Sequence, residues 1–202
     1  MAQFSLFLKL CAGRTAQILN VSALAAEAGI SVNTAKAWLS VMEASYIIYR
    51  LQPHYRNYNK RLVKSPKLYF TDSGLACYLL GIRDADQLST HYALGSLFEN
   101  FIVIEFFKQR LNTGKTGGLY FWRDHKGMEI DLIIEEGNTI QAFEIKAGRT
   151  AGSDYFRNLN YWRKQAGQRI DDCTVIYGGE ISQMTRDGRL TGWKELASGD
   201  TI

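Results

Sequence analysis

Ionisable side chains recur at regular spacing inside an apolar segment that reads EIDLIIEEGNTIQAFEIK. The segment is typical of two strands joined by a Gly-Asn loop, since both residues tolerate positive φ. Pairing the strands outward from that loop places Asp131 opposite Glu144 and Glu129 opposite Lys146. Alternate strand residues share a face, so the sequence predicts that these four side chains converge on one patch.

Two carboxylates that face each other among apolar neighbours repel one another and lose hydration. A shared proton relieves this repulsion, and a hard divalent cation relieves it better. Mg²⁺ is typically held by one or two carboxylates, with water or substrate phosphate completing its shell. Lys146 beside such an ion would offer a point charge to a phosphate or to an activated water. The pattern therefore favours a metal site.

The spacing alone leaves three other interpretations open. Charges on an edge strand often serve only to prevent aggregation. Glu129 and Lys146 could form a simple cross-strand ion pair. A loop at Glu136-Gly137 would shift the pairing by two residues.

The first part of the chain, residues 1–82, begins with helical patterns, and a strand-rich stretch follows within the same range. Ser22 and Ser31 are predicted N-caps of two helices that a turn at Gly29 separates. The second helix has one apolar stripe and a polar outer face; the stripe comprises Val32, Ala35, Leu39 and Met42, and the face comprises Asn33, Thr34, Lys36 and Ser40. The segments YIIYRL and YRNYNKRLVKSPKLYF follow as candidate wing strands, and SGLACYLLGI as a further helix. Residues 1–82 are therefore predicted to form a winged helix-turn-helix domain.

A polar segment, residues 83–91, is the predicted linker to a second domain at 92–202. Beyond it a long amphipathic helix precedes three strand-like runs, a helix and an apolar strand, CTVIYGG. This order predicts an α/β sandwich with a mixed sheet.

Composition sets broad limits on the class of protein. The 202 residues are 46% hydrophobic and 12% aromatic, as in ordinary globular proteins, and the net charge of +4 indicates no particular partner. No apolar run approaches the roughly 18 residues of a membrane span, and the N-terminus lacks a signal-peptide pattern. The three cysteines are predicted to be buried free thiols in a reducing cytoplasm.

Basic residues cluster in HYRNYNKRLVKSPK, which contains no acid. Together with the polar face of the second helix, this run predicts contact with nucleic acid; the candidate residues are Asn33, Thr34, Lys36, Arg56, Lys60, Arg61 and Lys64. Lys67 belongs to the same basic run. A solvated wing and a surface that docks another protein module are the alternatives.

The residues Asp131, Glu144 and Lys146, in the order D…E-I-K, resemble the PD-(D/E)XK nuclease motif. In that motif one strand carries an acid and the next carries E-x-K, and the fold usually adds an acid from the preceding helix. Glu99, in GSLFENFIVIE, stands in the matching place. The resemblance implies a restriction-endonuclease-like fold in which Glu99, Asp131 and Glu144 bind Mg²⁺ or Mn²⁺ and Lys146 completes the catalytic set.

Nearly the whole chain is also similar to the C-terminal region of a family of prokaryotic AAA+-type ATP-binding proteins. The family's ATPase module would lie N-terminal to this region, so the chain is expected to be a fragment that binds no ATP itself. The partners implied are DNA, that ATPase module and further copies of the chain; no membrane is implied. The sequence NTGKTGG lacks the first glycine of a P-loop and is predicted to be an ordinary loop.

Two function classes follow from these resemblances. In the first, the chain is a Mg²⁺-dependent phosphodiesterase that a winged helix holds on nucleic acid. In the second, it is a non-catalytic module that binds DNA or docks protein, and the nuclease-like fold is only a scaffold. The motif's usual proline is replaced here, since Glu129-Ile130 occupies its place.

Overall fold

The computed structural model describes residues 2–54, 63–167 and 173–198. The chain divides into two compact units, residues 1–51 with 65–104 and residues 52–64 with 105–202. The division after Ile104 falls inside a helix and not in the polar segment 83–91. That segment contains a short helix, Ala85–Thr90, which Asp84 caps by accepting the backbone N–H of Gln87.

Helices make up most of the first unit. Their bounds are α1 (Ala2–Ala12), α2 (Val21–Ala28), α3 (Val32–Ala44), α4 (Ser73–Leu79) and α5 (Ala85–Thr90), and α6 (Leu94–Asn112) continues into the second unit. Ser31 caps α3, as predicted, and Asp72 caps α4. The predicted cap Ser22 is wrong, because Asn20 has the extended conformation of a cap and its side chain accepts the N–H of Ala23.

The apolar stripe of α3 faces the core of the first unit. Ala35, Leu39 and Met42 are buried as predicted. Val32 is 38% exposed. It stands in the first helical turn, where a side chain projects back past the end of the helix, so the stripe begins one turn later than predicted.

Three antiparallel strands complete the first unit: β1 (Gln17–Ile18), β2 (Ile48–Pro53) and β3 (Lys67–Phe70), with β3 in the middle. Asn100 of α6 is fully buried against β3. Its side-chain oxygen accepts the Phe70 N–H at 2.7 Å and the Thr15 hydroxyl at 2.8 Å. Its amide nitrogen donates to the Phe70 carbonyl at 2.9 Å and to Ser73 Oγ at 3.0 Å. The amide thus satisfies both backbone polar groups of one strand residue.

A mixed sheet forms the second unit, with α7 (Arg157–Ala166) packed on it. The strands are β4 (Leu119–Arg123), β5 (Glu129–Glu136), β6 (Thr139–Lys146), β7 (Cys173–Tyr177), β8 (Gln183–Thr185) and β9 (Gly188–Gly192). Their order is β4-β5-β6-β7-β9-β8, and the last residues of β2 pair with β4. β6, β7 and β9 run parallel to one another, whereas β4, β5 and β6 alternate in direction. The mixed α/β class is confirmed; β8 and β9 were not predicted.

The hairpin between β5 and β6 has the predicted register. Gly137 takes a φ of 60°, and the ladder runs from Glu136 opposite Thr139 to Leu132 opposite Phe143. The loop at Glu136-Gly137 is therefore excluded. Both strands are interior, since β4 covers the outer side of β5 and β7 that of β6. Protection of a sheet edge consequently does not explain the charges.

Among the described residues, no helix combines the length and the apolar character that a membrane span requires. Cys11 and Cys173 are buried free thiols, as predicted, and Cys77 is half-buried. The segment that contains Gly-Lys-Thr is a loop between α6 and β4, where Lys115 forms an ion pair with Glu136.

Candidate metal centre

Asp131 and Glu144 follow directly after the last pair of the β5–β6 ladder and lie on the same face of the sheet. There the Asp131 side chain forms a hydrogen bond to the backbone of the neighbouring strand, because its Oδ2 accepts the N–H of Ile145 at 2.8 Å. One carboxylate oxygen is thus fixed against the neighbouring strand, at the point where the regular ladder gives way to side-chain contacts.

Glu144 is the most deeply buried acid of this site, with 1% of its surface exposed. Its Oε2 accepts a hydrogen bond from Lys146 Nζ at 2.5 Å. Its Oε1 has no hydrogen-bond partner within the part of the chain that the structure describes. The Asn158 side chain of α7 favours the ionised carboxylate as a weak hydrogen-bond donor, but among the described residues it does not reach hydrogen-bond geometry at Oε1. A buried acceptor without a partner carries a large desolvation penalty.

Burial, and after it the negative charge of Asp131, raise the pKa of Glu144 to about 8. Lys146 and Asn158 oppose this shift by favouring the ionised form. In the absence of a cation, Glu144 therefore holds a proton near neutral pH. A positive ion beside Oε1 would remove both causes of the shift.

Glu129 is the third acid on this face. One of its oxygens and one of Asp131 lie within 4.8 Å of each other, a separation that a single ion can bridge. Glu129 accepts a hydrogen bond from Arg123 Nη1 at 2.9 Å, because Arg123 is its direct partner on β4. Lys146 pairs with Glu144, and a cross-strand ion pair between Glu129 and Lys146 stays a prediction.

Glu99 has partners of its own in the first unit. Its Oε1 accepts hydrogen bonds from Lys67 Nζ at 2.8 Å and from the Tyr69 hydroxyl at 2.7 Å. Lys67 is 2% exposed, so this member of the predicted basic run is a buried ion-pair partner instead. That Glu99 supplies a ligand to the metal stays a prediction.

We expect Glu99→Gln to lower the stability of the first unit by about 2–4 kcal/mol, because the buried Lys67 ammonium loses its counter-ion. Thermal unfolding followed by circular dichroism measures this. Glu105→Gln is the matched control, since Glu105 lies on the same helix in an exposed ion pair with Lys108. Equal melting temperatures for the two variants would contradict the structural role of Glu99.

The residues predicted to contact nucleic acid divide into three groups. Asn33, Lys36 and Lys64 are exposed. Thr34 is half-buried, and its hydroxyl shares a hydrogen bond of 2.8 Å with Ser31 at the start of α3. Arg56, Lys60 and Arg61 lie outside the described residues.

Two participants at the carboxylate site escaped sequence analysis. Asn158 approaches Glu144 from α7, and only the packing of that helix on β5 and β6 brings it there. Arg123 ends β4, which is one of the three predicted strand-like runs, and only the pairing of β4 with β5 brings it to Glu129. Glu129 stands two residues before Asp131 on the same strand and therefore shares its face of the sheet. This spacing could have identified Glu129 as a candidate ligand.

Two families match parts of the chain. Residues 94–196 match "Domain of unknown function (DUF4143)", and residues 1–86 match "Domain of unknown function (DUF8612)". Uncharacterized proteins of Mycobacterium tuberculosis and Mycobacterium bovis are each 31% identical over 164 residues, which are 81% of this chain and 35% of the relative. The chain thus spans about a third of the length of these curated relatives. No solved structure matches it significantly.

Proposed function

The chain belongs to the DUF4143 family, a domain of unknown function, and from that premise we propose that its second unit is a Mg²⁺-dependent phosphodiesterase that acts on nucleic acid. The observation that carries the proposal is the Glu144 carboxyl group, which is buried beside Asp131 and whose Oε1 has no hydrogen-bond partner among the described residues. A purely structural acid would have its second oxygen satisfied. The order of Asp131, Glu144 and Lys146 along two adjacent strands, which resembles the PD-(D/E)XK motif, supports the same assignment.

The donor set fits a hard cation. Oxygen ligands from Asp131 and Glu144 suit Mg²⁺ or Mn²⁺, and Glu129 is a third carboxylate within reach of Asp131. A cation held there would supply Lewis acidity, both to a water molecule and to a phosphate oxygen.

The side chains of the site have distinct roles in this proposal. The Ile145 amide fixes the orientation of Asp131, and ionised Glu144 would present Oε1 to the cation. The Lys146 side chain is 34% exposed, and its ammonium group is held at Glu144 Oε2. From there it can orient an attacking water or stabilise the charge that develops on the phosphate. Burial of the acids strengthens each of these interactions.

For the first unit we propose a winged helix that contacts nucleic acid. The exposed side chains of Asn33, Lys36 and Lys64 support this role. We also propose that the chain serves as the C-terminal region of an AAA+-type ATP-binding protein, in line with the resemblance of its motifs to that family. ATP binding by a full-length relative tests this point.

Cleavage of labelled single-stranded and duplex DNA tests the activity, with Mg²⁺ or Mn²⁺ and with EDTA as the blank. We expect Lys146→Ala to lower the cleavage rate about 100-fold or more, since it removes a charge that acts on the transition state. Lys126→Ala, at an exposed turn position, is the control. Assays use this chain and a full-length relative.

Two results would decide against catalysis. Cleavage that is the same for Lys146→Ala and Lys126→Ala would come from another site or from a contaminant. Metal binding without cleavage by either protein would favour the non-catalytic module.

A further inference from the structure

A cavity of about 530 Å³ opens in the second unit at the edge where the parallel strands β6, β7 and β9 end. The residues that line it are Arg149, Tyr177, Gly178, Gly179, Glu180, Ile181, Trp193 and Lys194. In sheets of parallel strands, the crevice beyond the carboxyl ends is where ligands bind. This cavity begins three residues after Lys146.

Close backbone contacts fix the walls of the cavity. The Gly178 N–H donates to the carbonyl of Lys146 at 2.9 Å and to that of Gly148 at 3.1 Å. A β-carbon at Gly178 would collide with the Ala147 carbonyl oxygen, and one at Gly179 would collide with the Tyr177 ring. The Tyr177 hydroxyl donates to the carbonyl of Ile181 at 3.0 Å and accepts its N–H at 3.2 Å. The loops are therefore held in place, and one is bonded directly to the strand that carries Lys146.

The lining combines two cations with an indole ring. Arg149 is exposed, and its positive charge helps to lower the pKa of Glu180. Lys194 Nζ lies 2.5 Å from Glu180 Oε1, with both side chains mostly exposed. Surface ion pairs contribute little net stability, so a phosphate group can take the place of the carboxylate. Trp193 is half-buried and lines the same space, where its ring face can stack on a base.

We propose that this cavity binds one nucleotide unit of the nucleic-acid strand that passes the Asp131–Glu144–Lys146 site. Arg149 and Lys194 contact its phosphate, and Trp193 stacks on its base. Glu180 opposes binding until it is displaced from Lys194. As a substrate subsite this cavity rests on the function proposed above, but its test does not depend on metal or on cleavage.

The probe is a fluorescein-labelled oligothymidylate of about 12 nucleotides, titrated in EDTA with anisotropy and tryptophan fluorescence as readouts. We expect Arg149→Gln/Lys194→Gln to weaken binding about tenfold or more and to lower the slope of log K against log salt by about 0.7, for the one phosphate of a single strand that both cations contact. Glu180→Gln should tighten binding about threefold, since one repelling charge is removed. Trp193→Phe should abolish most of the fluorescence quenching.

The matched control is Lys108→Gln/Arg186→Gln, which removes the same two charges from exposed positions elsewhere in the second unit. Equal weakening by both double variants would overturn the subsite, because the effect would then be one of net charge alone. Weaker binding in Glu180→Gln would overturn it as well.

Calorimetric titration with Mg²⁺ separates the two proposals. Intact metal binding in Arg149→Gln/Lys194→Gln, with oligothymidylate binding lost, supports the cavity. Failure of the wild-type chain to bind Mg²⁺ would contradict the proposed phosphodiesterase activity. The titrations in EDTA would still test whether the cavity binds a nucleotide unit.

Discussion

Glu144→Gln is expected to abolish Mg²⁺ binding and to leave the metal-free protein as stable as the wild type or more stable. The acid is buried, and one of its oxygens has no hydrogen-bond partner in the part of the chain that the structure describes, so its ionised form is costly in the absence of a cation. The amide keeps the shape, removes the charge and can donate a hydrogen bond to Asp131. Asp131→Asn should behave in the same way, because an amide oxygen can still accept the Ile145 N–H.

The gain in stability of Glu144→Gln over the metal-free wild type should grow as pH rises. The folded pKa of Glu144, about 8, lies above the ordinary glutamate value of 4.5. Between these values the folded chain holds a proton that the unfolded chain has lost. Wild-type stability therefore decreases as pH rises from about 5 to 8, by at most about 1.4 kcal/mol per pH unit, and Glu144→Gln lacks this loss. Below pH 8, Mg²⁺ binding should release the proton of Glu144. The affinity for Mg²⁺ should therefore fall as pH falls, by up to about tenfold for each pH unit.

Melting temperatures at pH 5 and pH 8, with and without Mg²⁺, measure these effects. The control is Glu136→Gln, at the exposed end of β5, where the Lys115 ion pair lowers the pKa of the acid. This variant should bind Mg²⁺ normally. A clear fall in metal-free stability for both Asp131→Asn and Glu144→Gln would mean that the two acids are structural, and the metal site would have to be abandoned.

Asn100→Leu is expected to destabilise the first unit by about 3–6 kcal/mol. The substitution leaves three buried groups and one half-buried group without their partner: the buried groups are the Phe70 N–H, the Phe70 carbonyl and the Thr15 hydroxyl, and the half-buried group is the Ser73 hydroxyl. Each buried polar group that loses its hydrogen bond costs about 1–3 kcal/mol, with some loss recovered by relaxation. Since whole domains are stable by about 5–15 kcal/mol, much of the unit's stability depends on this one side chain.

Urea unfolding gives the measurement. Asn112→Leu is the matched control, because Asn112 is the exposed last residue of the same helix. Asn100→Asp separates shape from hydrogen bonding, since it keeps the acceptor but loses the donor to Phe70 and Ser73. A loss below about 1 kcal/mol for Asn100→Leu would show that these bonds are replaced by water.

The carboxylate hairpin was predictable because its rules are local. A Gly-Asn loop sets the register, and the register with period-2 alternation puts Asp131 and Glu144 on one face. The same holds for Ser31, whose capping role depends only on the residues that follow it. Ser22 failed for a local reason as well, because Asn20 is an equally good cap two residues earlier.

Long-range packing was beyond sequence reasoning. Lys67 reads as one more cation of a basic run, and only the proximity of β3 to α6 shows that it is buried against Glu99. Asn100 gave no signal at all, since its partners lie 27, 30 and 85 residues away. β8 and β9 were missed because both are short and polar, and they are strands through pairing with each other and with β7.

The hydrogen bond from the Ile145 amide to Asp131 makes one backbone nucleus a spectroscopic sensor of the site. A cation that draws electron density from the Asp131 carboxylate weakens this bond, although Ile145 binds no metal itself. The ¹⁵N resonance of Ile145 should therefore move with metal occupancy, and its proton should exchange faster with solvent. Neighbouring amides within the regular β5–β6 ladder should hold their positions. Occupancy can thus be followed at a single peak in solutions where nothing is being hydrolysed.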